Sequence, residues 1–301
     1  MKTRILISAV LVLAISACDD PVDEFRDAAP SAQGIDIKMR GAKGQALVGD
    51  PALMPGVTAL ATFAVNAHVA VILGTVAYGV STKPASATRD RVEWRDVTRP
   101  LWKDVFNLTM TRTANGFEYV VEGKPKSGGT YVQFMTGVHR PGLSQATGEF
   151  TMDFAAMQGL ASPPNTVGSA TVKYTRTGKD ITVDIAFHQT GKPNGTERVD
   201  SRYAFSQVEG GEGFFEFVVD SDYDKASPAL ERLTVKSRWH WDGDGRSDVI
   251  GSGGDLSGPF TFSECWDNAL NRTYYGDTLG LFPTEGAETD CTYGEASYSR
   301  L

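Results

Sequence analysis

The sequence predicts a mainly β protein, in which one large antiparallel meander forms a curved sheet or half-barrel and packs on a single N-terminal apolar helix. Three observations lead to this fold class. From about residue 91 onward, apolar and polar side chains alternate with the two-residue period of a strand. Candidate strands follow one another about every 10 to 15 residues, with little helix between them. Ahead of them, residues 57–80 form a long apolar stretch that contains no Asp, Glu, Lys or Arg.

The first 17 residues have the features of a secretory signal peptide. Two basic residues, Lys2 and Arg4, precede a nearly unbroken apolar run that ends at small residues. The end of this run, Ile15-Ser16-Ala17-Cys18, resembles the lipobox of bacterial lipoproteins. The resemblance implies that residues 1–17 are removed, that Cys18 becomes the lipidated first residue, and that this lipid anchors the chain to a membrane. We therefore expect an exported protein on the periplasmic or cell-surface side.

Composition separates the rest of the chain into a tether and a domain. Residues 18–35 are predicted to form a flexible tether because they are acidic, contain Ala and Pro, and show no hydrophobic period. Residues 36–301 are predicted to form a single β-rich domain, since one strand pattern continues through them. The chain has 37 acidic and 29 basic residues, a balance that disfavours nucleic acid as a partner.

The apolar stretch at residues 57–80 is predicted to be a helix buried in the core. As a helix it would be about 36 Å long, which is enough to cross a bilayer. A buried helix is preferred because Thr58, Thr62 and Asn66 recur every fourth residue and place a narrow polar stripe on it. Pro84 is expected to stop the helix shortly after its last apolar turn.

The strands are predicted from alternation and from turn signals. The first hairpin joins residues 106–111 to residues 117–121 across Asn115-Gly116, a pair typical of tight hairpin turns. The further candidate strands lie at residues 131–138, 148–154, 170–176, 181–188, 198–207, 213–219 and 230–241. One face of this sheet is apolar, and the helix is the obvious element to cover it. In architecture alone, this layout resembles the lipoprotein carriers and receptors of the LolA and LolB type.

The chain has three cysteines, and lipidation of Cys18 leaves Cys265 and Cys291. In an oxidising compartment these two cysteines are predicted to pair with each other and to clamp the C-terminal segment. A metal site with two cysteine ligands is the alternative. No histidine lies near either cysteine in the sequence, which disfavours it.

One segment resembles the calcium loops of integrin-type repeats, namely Trp241-Asp242-Gly243-Asp244-Gly245-Arg246-Ser247-Asp248. Calcium is bound by several hard oxygen ligands in a tight turn, so Asp242, Asp244 and Asp248 are the candidate metal ligands. His240 stands where that family has its first acidic ligand, and the motif occurs in a single copy. The alternative is a polar turn that holds no cofactor.

The overall layout resembles large lipoproteins of myxobacteria that have no assigned activity. The shared features are the lipobox, an apolar helix ending before a proline, Ser237-Arg238-Trp239 leading to Gly245-Arg246-Ser247-Asp248, and Glu264-Cys265-Trp266-Asp267 followed by a later cysteine. No nucleophile elbow, phosphate-binding glycine loop or zinc-protease motif occurs in the sequence, so a non-catalytic role is favoured over an enzyme.

The predicted function is therefore that of a lipid-anchored cell-envelope lipoprotein with a binding or structural role. As a binding module, it would hold an apolar ligand between the sheet and the helix. As a structural protein, it would meet an unknown protein partner with its polar face. The alternative from another class is a calcium-dependent extracytoplasmic hydrolase, which would need the three candidate metal ligands close to Glu264 and Asp267.

Overall fold

The computed structural model of the chain describes residues 21–30, 51–142, 145–221, 229–280 and 282–298. The helices are α1 (Pro21–Asp27) and α2 (Met54–Ser81), and the strands are β1 (Ser86–Ala87), β2 (Arg91–Val97), β3 (Asp104–Thr113), β4 (Gly116–Pro125), β5 (Val132–Arg140), β6 (Gln145–Asp153), β7 (Val167–Thr177), β8 (Asp180–Gly191), β9 (Val199–Gln207), β10 (Gly213–Ser221), β11 (Glu231–Trp239), β12 (Gly245–Gly253), β13 (Phe260–Trp266), β14 (Arg272–Asp277) and β15 (Glu285–Gly286). Short 3-10 turns lie at Ala156–Gly159 and Glu288–Asp290. The predicted signal peptide and Cys18 lie outside the described residues.

The strands form one fifteen-stranded sheet in which each strand pairs with the next in chain order. Neighbouring strands are antiparallel throughout. Within the described ranges, β1 and β15 are not paired with each other, so the sheet is open. The predicted fold class, a mainly β antiparallel meander, is confirmed.

The turns explain the order of the hairpins. Ala114 and Asn115 connect β3 to β4, and Gly116, the first residue of β4, has a φ of 118°, which a residue with a Cβ rarely adopts. Gly178 has a φ of 62° between β7 and β8. Since these tight turns join strands that are adjacent in the sequence, the sheet grows as a simple meander.

Residues 21–30 fall inside the predicted flexible tether, but residues 21–27 form α1 and this segment packs on the sheet. Val22 and Phe25 of the helix and Ala28 directly after it are buried. The ring of Phe25 meets that of Phe117 edge-on, at 5.1 Å between centroids. The three-residue spacing of small and large apolar side chains was hidden among acidic residues, which is why composition alone indicated a tether.

The N-terminus of α2 is held by a carboxylate from the sheet. Glu264 of β13 is fully buried, and its two oxygens accept the backbone N–H groups of Leu53, at 3.1 Å, and Met54, at 2.7 Å. The Nε of Arg272 donates to the same carboxylate at 2.8 Å. A negative charge at a helix N-terminus satisfies amide groups that have no partner within the helix.

The polar stripe of α2 faces the sheet. Thr58 and Thr62 are 1% and 3% exposed. The hydroxyl of Thr58 lies 2.7 Å from that of Ser237 on β11, which lies 2.5 Å from that of Ser247 on β12. Thr58 is therefore matched by buried hydroxyls of the sheet, whereas the hydroxyl of Thr62 donates to the carbonyl of Ala59 within the helix at 3.0 Å. Within the described ranges, no helix combines the length and apolar character needed to span a bilayer.

The C-terminal end of α2 contacts the opposite part of the sheet. The indole of Trp94, on β2, donates to the carbonyl of Thr82 at 3.2 Å. A Cβ at Gly79 would lie 3.3 Å from the side chain of Leu108 on β3. Residues 58 and 79 are about 32 Å apart along a straight helix, whereas eight strand spacings from β3 to β11 measure about 38 Å. The distance across the strands is longer than the distance along the helix, which indicates that the sheet curves around α2.

The predicted disulfide between Cys265 and Cys291 is present, with 5.6 Å between the Cα atoms. Beyond it, the C-terminal segment runs over the outer face of β11 and β12. Arg238 donates to the carbonyl of Gly294 at 2.7 Å, and Lys236 donates to that of Ser297 at 2.5 Å. Closing a loop of this length stabilises the fold by roughly 3 to 4 kcal/mol in the chain-entropy model.

Glu264→Gln tests the helix anchor. The variant keeps the shape of the side chain but removes the charge that faces the helix N-terminus and Arg272. We expect the free energy of unfolding to fall by about 2 to 3 kcal/mol in urea denaturation. The matched control is Glu285→Gln, which removes the exposed second partner of Arg272 and should cost less than about 0.5 kcal/mol. Equal effects of the two variants would contradict the anchoring role.

Candidate functional site

An apolar cavity of about 590 Å³ lies between α2 and strands β6 to β9. This volume is within the range of about 300 to 1,000 Å³ that is typical of small-molecule sites. The described side chains and loop residues that line it are Ala61, Val69, Met152, Phe154, Pro164, Asn165, Thr166, Ala170, Val172, Ile185, Phe187, Thr190, Ser201 and Tyr203. Helix and sheet together therefore enclose a space of ligand size.

The strand register explains why this space exists. Met152, Ala170, Phe187 and Ser201 form one row across the four strands, and two of the four side chains are small. On the facing helix, the described contributors are the short side chains of Ala61 and Val69. Small residues on both sides, Ala61 on the helix and Ala170 and Ser201 on the sheet, therefore leave space between the helix and these strands.

The cavity wall is apolar and uncharged. No acidic or basic residue belongs to the described lining, and its polar members are Asn165, Thr166, Thr190, Ser201 and Tyr203. The hydroxyl of Thr166 donates to the carbonyl of Gly191 at 3.2 Å, and the hydroxyl of Thr190 donates to that of Val199 at 3.1 Å. Burial raises the pKa of Tyr203, so its phenol stays neutral. The site suits an uncharged, mainly hydrocarbon surface.

The loop at one side of the cavity was not predicted from the sequence. It follows the 3-10 turn Ala156–Gly159 and contains Pro164, Asn165 and Thr166. The side-chain amide of Gln158 donates to three backbone carbonyls, those of Phe154, Pro164 and Thr166, at 2.9 to 3.1 Å. One glutamine thus shapes this wall, and a single glutamine in a Pro- and Ser-rich loop carries no sequence signal for such a role.

The candidate calcium segment is a turn followed by a strand. His240, Asp242 and Asp244 lie in the turn between β11 and β12, and ligand atoms of these three residues are within 4.8 Å of one another. Burial acts to raise the pKa of Asp244, but hydrogen bonds, first from Thr292 and then from Asp242 and His240, hold it below its ordinary value. Two of the three predicted metal ligands, Asp242 and Asp244, therefore lie close to each other and to His240.

Asp248, the third predicted ligand, lies elsewhere. The strand β12 begins at Gly245, so Asp248 is a buried strand residue. Its carboxylate accepts hydrogen bonds from Arg246 at 2.8 Å, from Arg238 at 2.6 Å and from Ser263 at 2.7 Å. The structure thus places Asp248 in an ion-pair network beneath the C-terminal segment and keeps it out of the group formed by Asp242 and Asp244.

The two carboxylates required by the hydrolase alternative have backbone partners. Glu264 binds the N-terminus of α2, as described above. Asp267 accepts the N–H groups of Ala269 and Asn271, each at 2.9 Å, and closes the turn between β13 and β14. Both carboxylates are thus engaged in holding the backbone.

No protein-family model matches the chain, and no curated protein or solved structure is significantly similar to it. The functional argument therefore rests on the geometry described above.

Asp248→Asn separates a structural role from a metal-binding role. Arg246 is only 1% exposed and pairs with Asp248 and with the more exposed Glu288, so removing the buried partner should lower the free energy of unfolding by about 3 kcal/mol. The exposed turn variant Asp242→Asn is the control and should cost less than about 0.5 kcal/mol. Thermal unfolding is compared in calcium and in excess chelator, and we expect the same loss for Asp248→Asn in both. A loss that disappears in chelator would instead make Asp248 a metal ligand.

Proposed function

We propose that this chain is a lipid-anchored cell-envelope lipoprotein that binds an apolar ligand between α2 and the sheet. The observation that carries the proposal is the cavity of about 590 Å³, whose described lining contains no charged residue. Its apolar walls would offer a hydrocarbon chain or ring system the contacts that water cannot provide. The role proposed is holding or carrying the ligand, without chemistry on it.

The polar groups of the lining set the chemistry of the ligand. The hydroxyls of Thr166 and Thr190 donate to backbone carbonyls, and the phenol of Tyr203 is neutral. A charged ligand group would lose its hydration at this site without meeting an opposite charge. The proposed ligand is therefore an uncharged lipid-like molecule.

The proposed compartment is supported by two features. The segment ending at Cys18 resembles a lipobox, and the disulfide between Cys265 and Cys291 is of the kind that persists in an oxidising environment. Lipidation of Cys18 would hold the domain at a membrane, where apolar ligands are concentrated. The lipid anchor would then keep the cavity close to its source of ligand.

A role in protein interaction is the second candidate. Three apolar side chains at the beginning and first half of α2, Leu53, Leu60 and Phe63, are 60%, 71% and 71% exposed. Exposed apolar groups of this size are typical of surfaces that meet another molecule. Under this alternative the cavity would be incidental, and filling it would have no effect on binding.

Blocking the cavity tests the ligand-binding proposal. The chain is exported with an ordinary cleavable signal in place of residues 1–18, so that it can be purified without detergent. N-Phenylnaphthylamine, an uncharged fluorophore, should bind saturably with a blue-shifted emission. Ala61→Trp should weaken this binding by about tenfold or more, because the indole would occupy the cavity.

The matched control is Ala77→Trp, at an exposed position of the same helix. It should bind the fluorophore like the unmodified chain. Equal affinity in the two variants, or no saturable binding to the unmodified chain, would contradict the proposal and favour the interaction role.

Cys18→Ala tests the anchor. Metabolically supplied labelled palmitate should be incorporated into the unmodified chain and should be absent from Cys18→Ala, since a thiol is needed to carry the lipid. Cys265→Ser is the control for a cysteine that is not lipidated, and its label should be retained. Label that persists in Cys18→Ala would show that the lipobox resemblance is misleading.

A further inference from the structure

A second cavity, of about 560 Å³, lies beside α2 beneath the loop that connects β2 to β3. Its described lining consists of Gly74, Thr75, Arg99, Leu101, Trp102, Lys103, Asp104, Phe106, Val121, Phe134, Met135, Met157, Leu160 and Ser162. It shares no described lining residue with the first cavity. The two spaces therefore have different walls and are considered separately.

Aromatic rings lead from the surface of this second cavity to its base. The ring of Trp102 lies 5.3 Å from that of Tyr78 and 5.6 Å from that of Phe106, measured between centroids. Phe106 in turn lies 6.0 Å from Phe134, which is buried. All three pairs meet edge-on, and Trp102, Phe106 and Phe134 belong to the cavity lining. Such a wall suits a hydrocarbon chain.

The surface end of the cavity is cationic. The guanidinium of Arg99 lies 3.9 Å from the ring centroid of Tyr78 and 5.1 Å from that of Trp102, which hold it at the mouth. Lys103 is exposed beside it, and the Nζ of Lys126 donates to the carbonyl of Arg99 at 2.6 Å. In the part of the chain that the structure describes, none of these three cations forms an ion pair.

The one carboxylate of the described lining is already engaged. Asp104 is buried, and its oxygens accept the N–H groups of Ala161, at 2.6 Å, and Ser162, at 3.1 Å. Among the described residues it forms no ion pair with Arg99 or Lys103, and its single negative charge against these two cations leaves the lining net positive. The positive charge of Arg99 and Lys103 is available to an anion from outside.

Leu101 adds an apolar group to this cationic rim. It is 96% exposed and stands between the two cations in the sequence. An exposed leucine beside basic residues and a half-buried tryptophan is a combination typical of protein surfaces that lie at the boundary between lipid headgroups and acyl chains. The mouth thus offers positive charge to the head group of an anionic amphiphile and apolar surface to its hydrocarbon chain.

We propose that the second cavity binds the acyl chain of an anionic amphiphile, with the carboxylate or phosphate head held by Arg99 and Lys103. The chain would lie against Trp102 and Phe106, and the head would remain at the solvent boundary. This site is distinct from the cavity of the proposed function. The first cavity is proposed to take an uncharged ligand, whereas this one is proposed to take an anionic ligand. This proposal can be tested independently of the proposal for the first cavity.

Trp102 provides a probe that only this cavity contains, because no tryptophan belongs to the described lining of the first. Bromine quenches tryptophan fluorescence on contact. With the detergent-free chain, which keeps every described residue, 2-bromododecanoate, whose bromine lies next to the carboxylate, should quench part of the emission saturably. That part should be missing in Trp102→Phe. The uncharged 2-bromododecan-1-ol should bind about tenfold more weakly, because it lacks the charge that meets Arg99 and Lys103.

Two variants test the location and the charge. Gly74→Phe should abolish the Trp102 quenching, since Gly74 lines the cavity and a side chain there meets open space. Gly56→Phe, at another open position of the same helix, should leave it unchanged. Both changes replace a helical glycine and should not lower the melting temperature, which is measured as the check of folding. The double variant Arg99→Gln/Lys103→Gln should bind the acid and the alcohol about equally.

The source of the amphiphile is distinguished by a second arm with vesicles that contain an anionic phospholipid with brominated acyl chains. Quenching by the free acid alone assigns a soluble amphiphile, and quenching by vesicles assigns a bilayer lipid. No saturable Trp102 quenching in either arm overturns the proposal. Equal quenching by acid and alcohol in the unmodified chain, or undiminished quenching in Gly74→Phe, also overturns it. Binding of N-phenylnaphthylamine to the first cavity is unaffected by any of these outcomes.

Discussion

The buried carboxylate of Glu264 is the interaction on which the rest of the structure depends. It lies on β13, next to the disulfide-bonded Cys265, and receives the first amide groups of α2 together with Arg272. These amides have no partner inside the helix, and leaving them buried and unpaired would be costly. A long, nearly uniformly apolar helix has little in its own sequence to define its position along a sheet. The charged contact defines that position, and the hydroxyl pair of Thr58 and Ser237 supports it one turn later.

Once its N-terminus is held at β13 and its last turn at β2 and β3, α2 lies across the sheet, and Val69, Leu73 and Val76 pack into the core between these two ends. Both cavities border this helix, at positions where its side chain is short or absent. Ala61 and Ala170 leave space on one side, and Gly74 leaves space on the other. The two spaces differ in the chemistry of their walls: one has no described charge, and the other ends at Arg99 and Lys103. A single geometric constraint thus produces two sites with different preferences.

The sequence predicted the positions of those strands that have one buried face and one solvent-exposed face. Alternation located the strands from β3 to β11, and residues 57–80 located most of α2. Alternation failed at β12, where Arg246 and Asp248 are buried under the C-terminal segment and the opposite face is buried too. A strand covered on both sides, with its charges paired, looks like a polar loop, and this is why Asp248 was grouped with Asp242 and Asp244. The cavities were not predictable in detail, since they depend on register and on a loop held by Gln158, both of which are long-range properties.

The edges of the sheet also bear on how the protein meets other molecules. A large open sheet normally exposes unpaired backbone groups at its two edges, which invite pairing with another chain. Here the outermost described strands, β1 and β15, are only two residues long each. Each of them therefore pairs with only two residues of its neighbour, β2 or β14, and among the described residues leaves the rest of that neighbour's outer side without a strand partner. On the inner face, both cavities described above border α2, so the helix that packs on the sheet also forms part of the wall that a ligand would meet.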